Sequence, residues 1–258
     1  MTPNLRRIVF AGACCVLLPA AFHIARHMPP FGAHPLPYGD AIDALAPVQR
    51  HVSNMVSAVN FDYRGFDTLG EEFMLLCATT GTVVLLRGSR GETLSAKPGI
   101  LAGREMPHRS AAARLVARLL APLLLLFGLY VALHAMTTPG GGFQGGVIVA
   151  SGLLLLFLGD NYAAWRRLVP SEVLDPLEGM GAAAYALCGF GSMLAGAPFL
   201  TNVLPFGTFR DVFSGGLMQI ENAGVACAVA GGFGMVLIEF LEETRAVQPG
   251  DEDSGDES

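Results

Sequence analysis

The sequence predicts an all-α fold: a polytopic transmembrane bundle of about six spans, with a short amphipathic helix on the outer side. Three observations carry this. Of 258 residues, 52% are hydrophobic and 15% charged, and the mean hydropathy is +0.48; soluble domains carry about 25% charged residues. Six apolar runs approach the roughly 20 residues that a span needs. The basic residues sort to one side of those runs, as the positive-inside rule requires.

The runs are Leu5 to Ala25, Thr68 to Leu86, Leu115 to Ala135, Phe143 to Ala164, Met180 to Leu200 and Gly216 to Phe240. The first carries Arg6 and Arg7 ahead of an apolar core, Ile8 to Phe22. A cleaved signal peptide would share that start, but this core is at the long end for one and no small-x-small site follows it cleanly. Cleavage at Ala13-Cys14, as in a lipoprotein, would leave too short an apolar region. The run is therefore read as a retained span. With six spans, the inner segments hold Arg6, Arg7, Arg87, Arg90, Lys97, Arg104, Arg109, Arg114, Arg118, Arg166, Arg167 and Arg245. The outer segments hold only Arg26, Arg50, Arg64 and Arg210. This split places both termini in the cytoplasm.

Four segments follow: a first module at 1–88 with two spans, a cytoplasmic linker at 89–114, a four-span module at 115–241, and an acidic tail at 242–258. The formal charge of −6 is misleading, because Glu239 to Ser258 holds eight acids and one arginine. That end reads as solvated and disordered. The five cysteines, Cys14, Cys15, Cys77, Cys188 and Cys227, lie in apolar runs without zinc-ligand spacing and read as small buried side chains. No metal, cofactor, nucleophile constellation or nucleic-acid-binding pattern is predicted.

In the first module, Val48, Val52, Met55, Val56 and Val59 recur at helical spacing opposite Gln49, Arg50, Ser53, Asn54 and Ser57, which predicts the amphipathic helix. It leads into NFDYRGFDTLGEEF, Asn60 to Phe73, with Asp62, Arg64, Asp67, Glu71 and Glu72. The purely apolar part of the second span, Phe73 to Leu86, reaches only about 21 Å of a roughly 30 Å core. The span must start near Thr68, which draws Glu71 and Glu72 toward the membrane. Two readings stand for these acids. Thr68 and Glu71 have the spacing of a capping box, and carboxylates at that depth suit ion handling, with Asp67 and Glu71 four apart on one face.

In the second module, TTPGGGFQGGVIVA, Thr137 to Ala150, sets five glycines and a proline at the mouth of a span. Glycine permits close backbone approach, and proline starts a helix without needing its N–H. Polar backbone at that depth needs protein or a wet cavity to cover it. Pro139, Gly140, Gly141, Gly142, Phe143, Gln144, Gly145 and Gly146 are read as a packing turn. Gly224, Ala228 and Gly232 make a small-residue stripe against which another helix should pack. Glu221, one turn inside the last span, is this module's strongest functional position. His134 reads either as an interfacial hydrogen-bonder or as a proton relay. Asp160, Glu178 and Glu239 read as near-surface groups, solvated or paired with arginine.

Thr138 to Ala150 closely resembles the signature of the MnhB component of multisubunit Mrp/Mnh-type cation/proton antiporters, a domain also found in membrane-bound hydrogenases. Asn60 to Glu71, NFDYRGFDTLGE, resembles the C-terminal end of the large MnhA component of those antiporters and the corresponding E component of the hydrogenases. The two occur in MnhA-then-MnhB order. The family's histidine-glycine-histidine-like approach is here Leu133-His134-Ala135-Met136, and the acidic tail is unlike the family. The resemblance implies a non-catalytic subunit that works with other membrane subunits in the bilayer, with Na+ and H+ as the transported ions. The large antiporter-like domain of MnhA is absent, so the chain is not expected to exchange ions alone. Asp62, Arg64, Asp67 and Glu71 match the acidic signature, and with Glu72, Glu221 and His134 they form the ion-path set. A bacterial or archaeal cell membrane is the implied location. The alternatives are a membrane subunit of an ion-translocating hydrogenase or related oxidoreductase and a stand-alone transporter. The latter lacks an inverted repeat or a midplane charge pair.

Overall fold

The computed structural model describes residues 3–28, 37–89, 110–159 and 171–243. They form helices α1 (Pro3–His27), α2 (Pro37–Gln49), α3 (Met55–Ala58), α4 (Gly65–Ser89), α5 (Ala111–Leu133), α6 (Gly142–Gly159), α7 (Ser171–Leu194) and α8 (Leu217–Glu243). A π-helical turn, Val59–Tyr63, joins α3 to α4. No strand occurs among the described residues. Among the described residues, five helices are long and apolar enough to cross a membrane: α1, α4, α5, α6 and α8.

The chain divides into two compact units, Met1–Asp40 and Ala41–Ser258. In the first, α1 is an apolar helix ending in Arg26 and His27, and the His27 ring nitrogen meets the His23 carbonyl at 2.8 Å. In the second, α5 packs on α6, α7 on α8, and α4 on both α7 and α8. Helix α8 also meets α5, α6 and the π turn, so it is the hub. We call the end bearing the π turn and the start of α8 the turn end, and the opposite end the far end.

Small residues make this packing possible. On α5, Ala117, Ala121, Gly128 and Ala132 are buried, while Leu119, Leu123, Leu126 and Phe127 are exposed. That is the reverse of a soluble helix and suits a helix whose outer face meets lipid or another subunit. The expected stripe on α8 does receive a helix. A methyl on Gly224 would lie 2.9 Å from the Gly181 carbonyl of α7, and one on Gly232 would lie 2.8 Å from the Glu178 carboxylate.

Three expectations shift. The amphipathic helix is two pieces, because His51 adopts φ 54° and Asn54 caps a fresh start at α3. Val52 is buried, but Val48 and Val56 point outward. The fifth run is displaced: α7 begins at Ser171 and stops at Leu194, where Gly196 (φ 82°) turns the chain. Its 24 residues reach about 36 Å, enough for a span. However, Glu172, Asp175 and Glu178 in its first half keep it from reading as apolar. The capping box does not form. Helix α4 already begins at Gly65, and Thr68 is buried in its first turn. Asp160 and Asn161, with the end of the fourth run and Arg166 and Arg167, lie outside the described residues. So do most of the linker and nearly all of the acidic tail.

At the far end Arg87 Nε donates to Glu239 Oε1 at 2.7 Å, with Glu239 fully buried. Removing one member of a buried pair costs about 3–5 kcal/mol, whereas replacing both with apolar groups can be neutral. Arg87→Met should therefore lower the melting midpoint of the detergent-solubilised protein, followed by circular dichroism. Combining it with Glu239→Met should restore most of the loss.

Candidate functional site

The glycine turn is held from two sides. Asn54, ahead of α3, aims its side-chain Nδ2 at the carbonyls of Ala135, Thr138 and Gly140, at 2.8, 2.9 and 2.9 Å. Beside it, Ser57 Oγ donates to Ala135 O at 2.6 Å and Ser53 Oγ to Thr137 O at 2.9 Å. From α8, Asn222 Oδ1 accepts the Gly142 N–H at 2.6 Å, while its Nδ2 donates to Ala132 O at 2.8 Å. These bonds meet backbone groups that an apolar surround would leave stranded. Gly140 has φ 120°, a conformation that glycine alone adopts freely. A side chain on Gly145 would lie 2.7 Å from the Gly128 carbonyl of α5, and one on Gly142 would collide with α8 at Asn222.

The predicted ion-path residues separate into four places. Asp62 and Arg64 line an open cavity of about 500 Å³ at the turn end, with Arg50, Tyr63, Asn202 and Phe206. Asp62 is largely buried, accepting from Arg50 Nε at 2.7 Å and from Asn202 Nδ2 at 3.4 Å. The Arg50 guanidinium also lies over the Tyr63 and Phe206 rings, at 5.1 and 5.3 Å. Arg64 pairs with Asp67, both exposed. Glu71 is exposed and lines a second groove of about 590 Å³ together with Gly140, Gly141, Gly142, Phe143 and Gln144. Glu71 of the acidic signature and the glycine turn thus share one groove between α4 and α6.

Glu72 and Glu221 occupy the third place, the bundle interior. Both are buried, and none of their carboxyl oxygens has a hydrogen-bond partner among the described residues. Tyr185 of α7 is also fully buried near them, its hydroxyl donating to Gly65 O at 2.8 Å. His134 stands apart at the end of α5, stacked on Tyr130 at 4.0 Å with its Nδ1 2.9 Å from the Tyr130 carbonyl.

Sequence reasoning placed Glu178 and Glu239 near the surface, and both are buried. The Thr79 hydroxyl donates to Glu178, and Arg87 pairs with Glu239, so the arginine expectation holds for Glu239. Tyr185, Asn54 and Asn222 were missed as site residues. The one available signal was an asparagine following Glu221 inside an apolar run. Among the described residues no cluster of three or more His, Cys, Asp or Glu is arranged to hold a metal ion.

Residues 112–235 match the family described as a domain related to the MnhB subunit of Na+/H+ antiporter. The chain is 39% identical over 130 residues to the B-type Na(+)/H(+) antiporter subunit of Bacillus subtilis (strain 168), covering 49% of this chain and 88% of that protein. A chain of the membrane-bound sulfane sulfur reductase, an archaeal respiratory membrane complex, superposes with TM-score 0.70 at 26% identity. The match covers 92% of this chain and 98% of that one. A chain of the Mrp complex from Dietzia sp. DQ12-45-1b shares the fold, with TM-score 0.68 at 23% identity over 96% of this chain and 27% of the other.

Gly145→Leu should force α5 and α6 apart, costing about 1–3 kcal/mol or more, while Gly141→Ala, with its nearest neighbour at 3.3 Å, should be tolerated. Asn222→Ala strips the Gly142 N–H of its acceptor and should cost about 1–3 kcal/mol. Thermal melts and size-exclusion profiles of the solubilised variants check all three.

Proposed function

Because the chain belongs to the MnhB family of Na+/H+ antiporter subunits, we propose that it is a non-catalytic membrane subunit of a multisubunit cation/proton antiporter. It works with other membrane subunits, moves Na+ and H+ only with them, and lies in a bacterial or archaeal cell membrane with both termini in the cytoplasm. The turn end then faces outward. One observation carries the ion-path part of this reading: buried carboxyls inside an apolar bundle, at Glu72 and Glu221, with no group among the described residues to neutralise them. Ionisable side chains at membrane depth are costly and mark ion routes.

The two modules divide the work. The first, 1–88, brings Asp62, Arg64, Asp67 and Glu71 to the outer side, where negative charge concentrates cations at a subunit interface. The second, 115–241, supplies the clamped glycine turn, which serves packing, and Glu221. The groove that holds Glu71 beside Gly140 to Gln144 is where we place the contact with a neighbouring subunit. A second reading, as a membrane subunit of an ion-translocating oxidoreductase, draws on the likeness to the sulfane sulfur reductase chain, which extends over nearly the whole of both chains.

Blue-native electrophoresis of the gently extracted protein, with co-migrating chains identified by mass spectrometry, separates the readings. Large antiporter-like subunits alone support the first; iron–sulfur or other redox subunits support the second. Within the assembled complex, Asp67→Asn with Glu71→Gln should cut sodium-driven proton movement at least about tenfold, read by a pH-sensitive dye in everted vesicles. Unchanged transport would reduce these acids to helix-start electrostatics.

A further inference from the structure

Among the described residues, four glutamates are buried in the bundle, and they are treated differently. Glu239 is met by Arg87, and Glu178 by the Thr79 hydroxyl. Glu72 and Glu221 are met by neither a cation nor a donor among the described residues. A carboxyl kept for stability alone would be expected to resemble the first two, because an unpartnered one costs more than an apolar side chain of the same size.

The unpartnered pair also sits in sequence along a line. Asp62, on the wall of the turn-end cavity, accepts from Asn202, and Asn202 in turn accepts from the Leu217 N–H, one helical turn before Glu221 on α8. A methyl on Gly224, about one turn beyond Glu221, would lie 3.6 Å from Tyr185 N, and the Tyr185 hydroxyl donates to Gly65 O, two turns before Glu72 on α4. Glu178 stands one turn beyond Asp175, which is exposed at the start of α7. Helix register agrees with that order. On α4, Thr79 lies seven residues beyond Glu72, about 10 Å toward the far end, and there it touches Glu178. Other titratable groups facing the line are Glu71 beside Glu72, Cys188 beside Glu221, and Arg50 on Asp62.

We infer that this subunit carries a proton path of its own, running Asp62, Glu221, Tyr185, Glu72, Glu178, Asp175 from one face of the bundle to the other. The inference rests on the membrane-subunit reading above and names the ion this chain handles. Each step moves one proton from a carboxyl, phenol or water O–H to a lone pair of the next oxygen, directly or through water, and at Tyr185 the hydroxyl swings off Gly65 O and passes on its own proton as it takes one up. The donor is left as its conjugate base until a proton arrives from behind, and no electron changes hands. A hard metal cation instead wants several oxygens converging on one point. Here the carboxyls stand singly along the line. Tyr185 is a positioning residue as well as a step, its hydroxyl anchored to Gly65 between the two unpartnered glutamates.

The test uses the intact complex in proteoliposomes. Glu72→Gln and Glu221→Gln should each lower proton flux at least about tenfold, because each removes an exchangeable proton from a series path. The double variant should be no worse than either single one, and the partner chains should co-fractionate as before. Glu172→Gln, an exposed acid on α7 off the line, is the control and should leave flux unchanged. A membrane-permeant carbodiimide, which adds to protonated carboxyls, should modify Glu72 and Glu221, and peptide mass spectrometry reads the adducts. Wild-type flux in both glutamine variants, with both glutamates unmodified, overturns the path. If the wild-type complex exchanges no cation for protons, the antiporter reading falls and the carbodiimide result decides alone. Modification at both glutamates sustains the path, and its absence overturns it.

Discussion

In hydrocarbon, a backbone carbonyl or a carboxylate has only protein to meet it, and in this bundle one helix does most of the meeting. Helix α8 supplies Asn222 to the glycine turn, Gly232 to the Glu178 carboxylate, Glu239 to Arg87, and Glu221 to the interior. It can serve so many neighbours because its contact faces are glycine and alanine. At Gly224 the α7 backbone comes too close for any side chain to fit between, and at Gly232 there is room for a carboxylate and the Thr79 methyl together. A leucine at either place would hold the neighbouring helices away, and the polar contacts along α8 would open with them.

The asymmetry of α5 shows the same logic seen from outside. Its buried stripe of Ala117, Ala121, Gly128 and Ala132 lies against α6, and its leucines face outward. A soluble protein would aggregate through such a surface. Here the outward face is free to meet lipid chains or a neighbouring subunit, and van der Waals fit between small residues holds the pair together. Ala121 carries no exposed surface, so the α5–α6 seam is closed along its middle.

How much of this was legible depends on the range of the interactions. The apolar runs are local, and α1, α4, α5, α6 and α8 fall where they predict. The stripe Gly224, Ala228, Gly232 announced a close-packed neighbour but not which one. Helix α7 was misplaced because its first half holds three acids. One of these, Glu178, is buried by Thr79, 99 positions away in the chain. Glu239 looked peripheral for the same reason, since Arg87 is 152 positions distant. The break in the amphipathic helix was hidden because valine spacing continues through it. What interrupts the helix is the fit of Asn54 to carbonyls more than eighty residues later. Local patterns encode spans and faces, while the polar pairings are tertiary and have no periodicity to read.

Glu221 and Asn222 are adjacent, and in a helix adjacent side chains point roughly 100° apart. One therefore reaches the turn while the other faces the interior. Fixing the turn fixes the rotation of α8 about its axis, because Asn222 both accepts from Gly142 and donates to Ala132. That rotation decides whether Glu221 faces Asp62 and Tyr185 or the surface. Asn54 does the same for the π turn: it ties α3 to the glycine turn, and the π turn that follows places Asp62 beside Arg50 and Asn202. The glycine stretch and the acidic stretch look unrelated in the chain, but each is held in register by an asparagine bound to the same short piece of backbone. A shift of that backbone would move Asp62 and Glu221 together, so the packing turn and the interior acids form one mechanical unit.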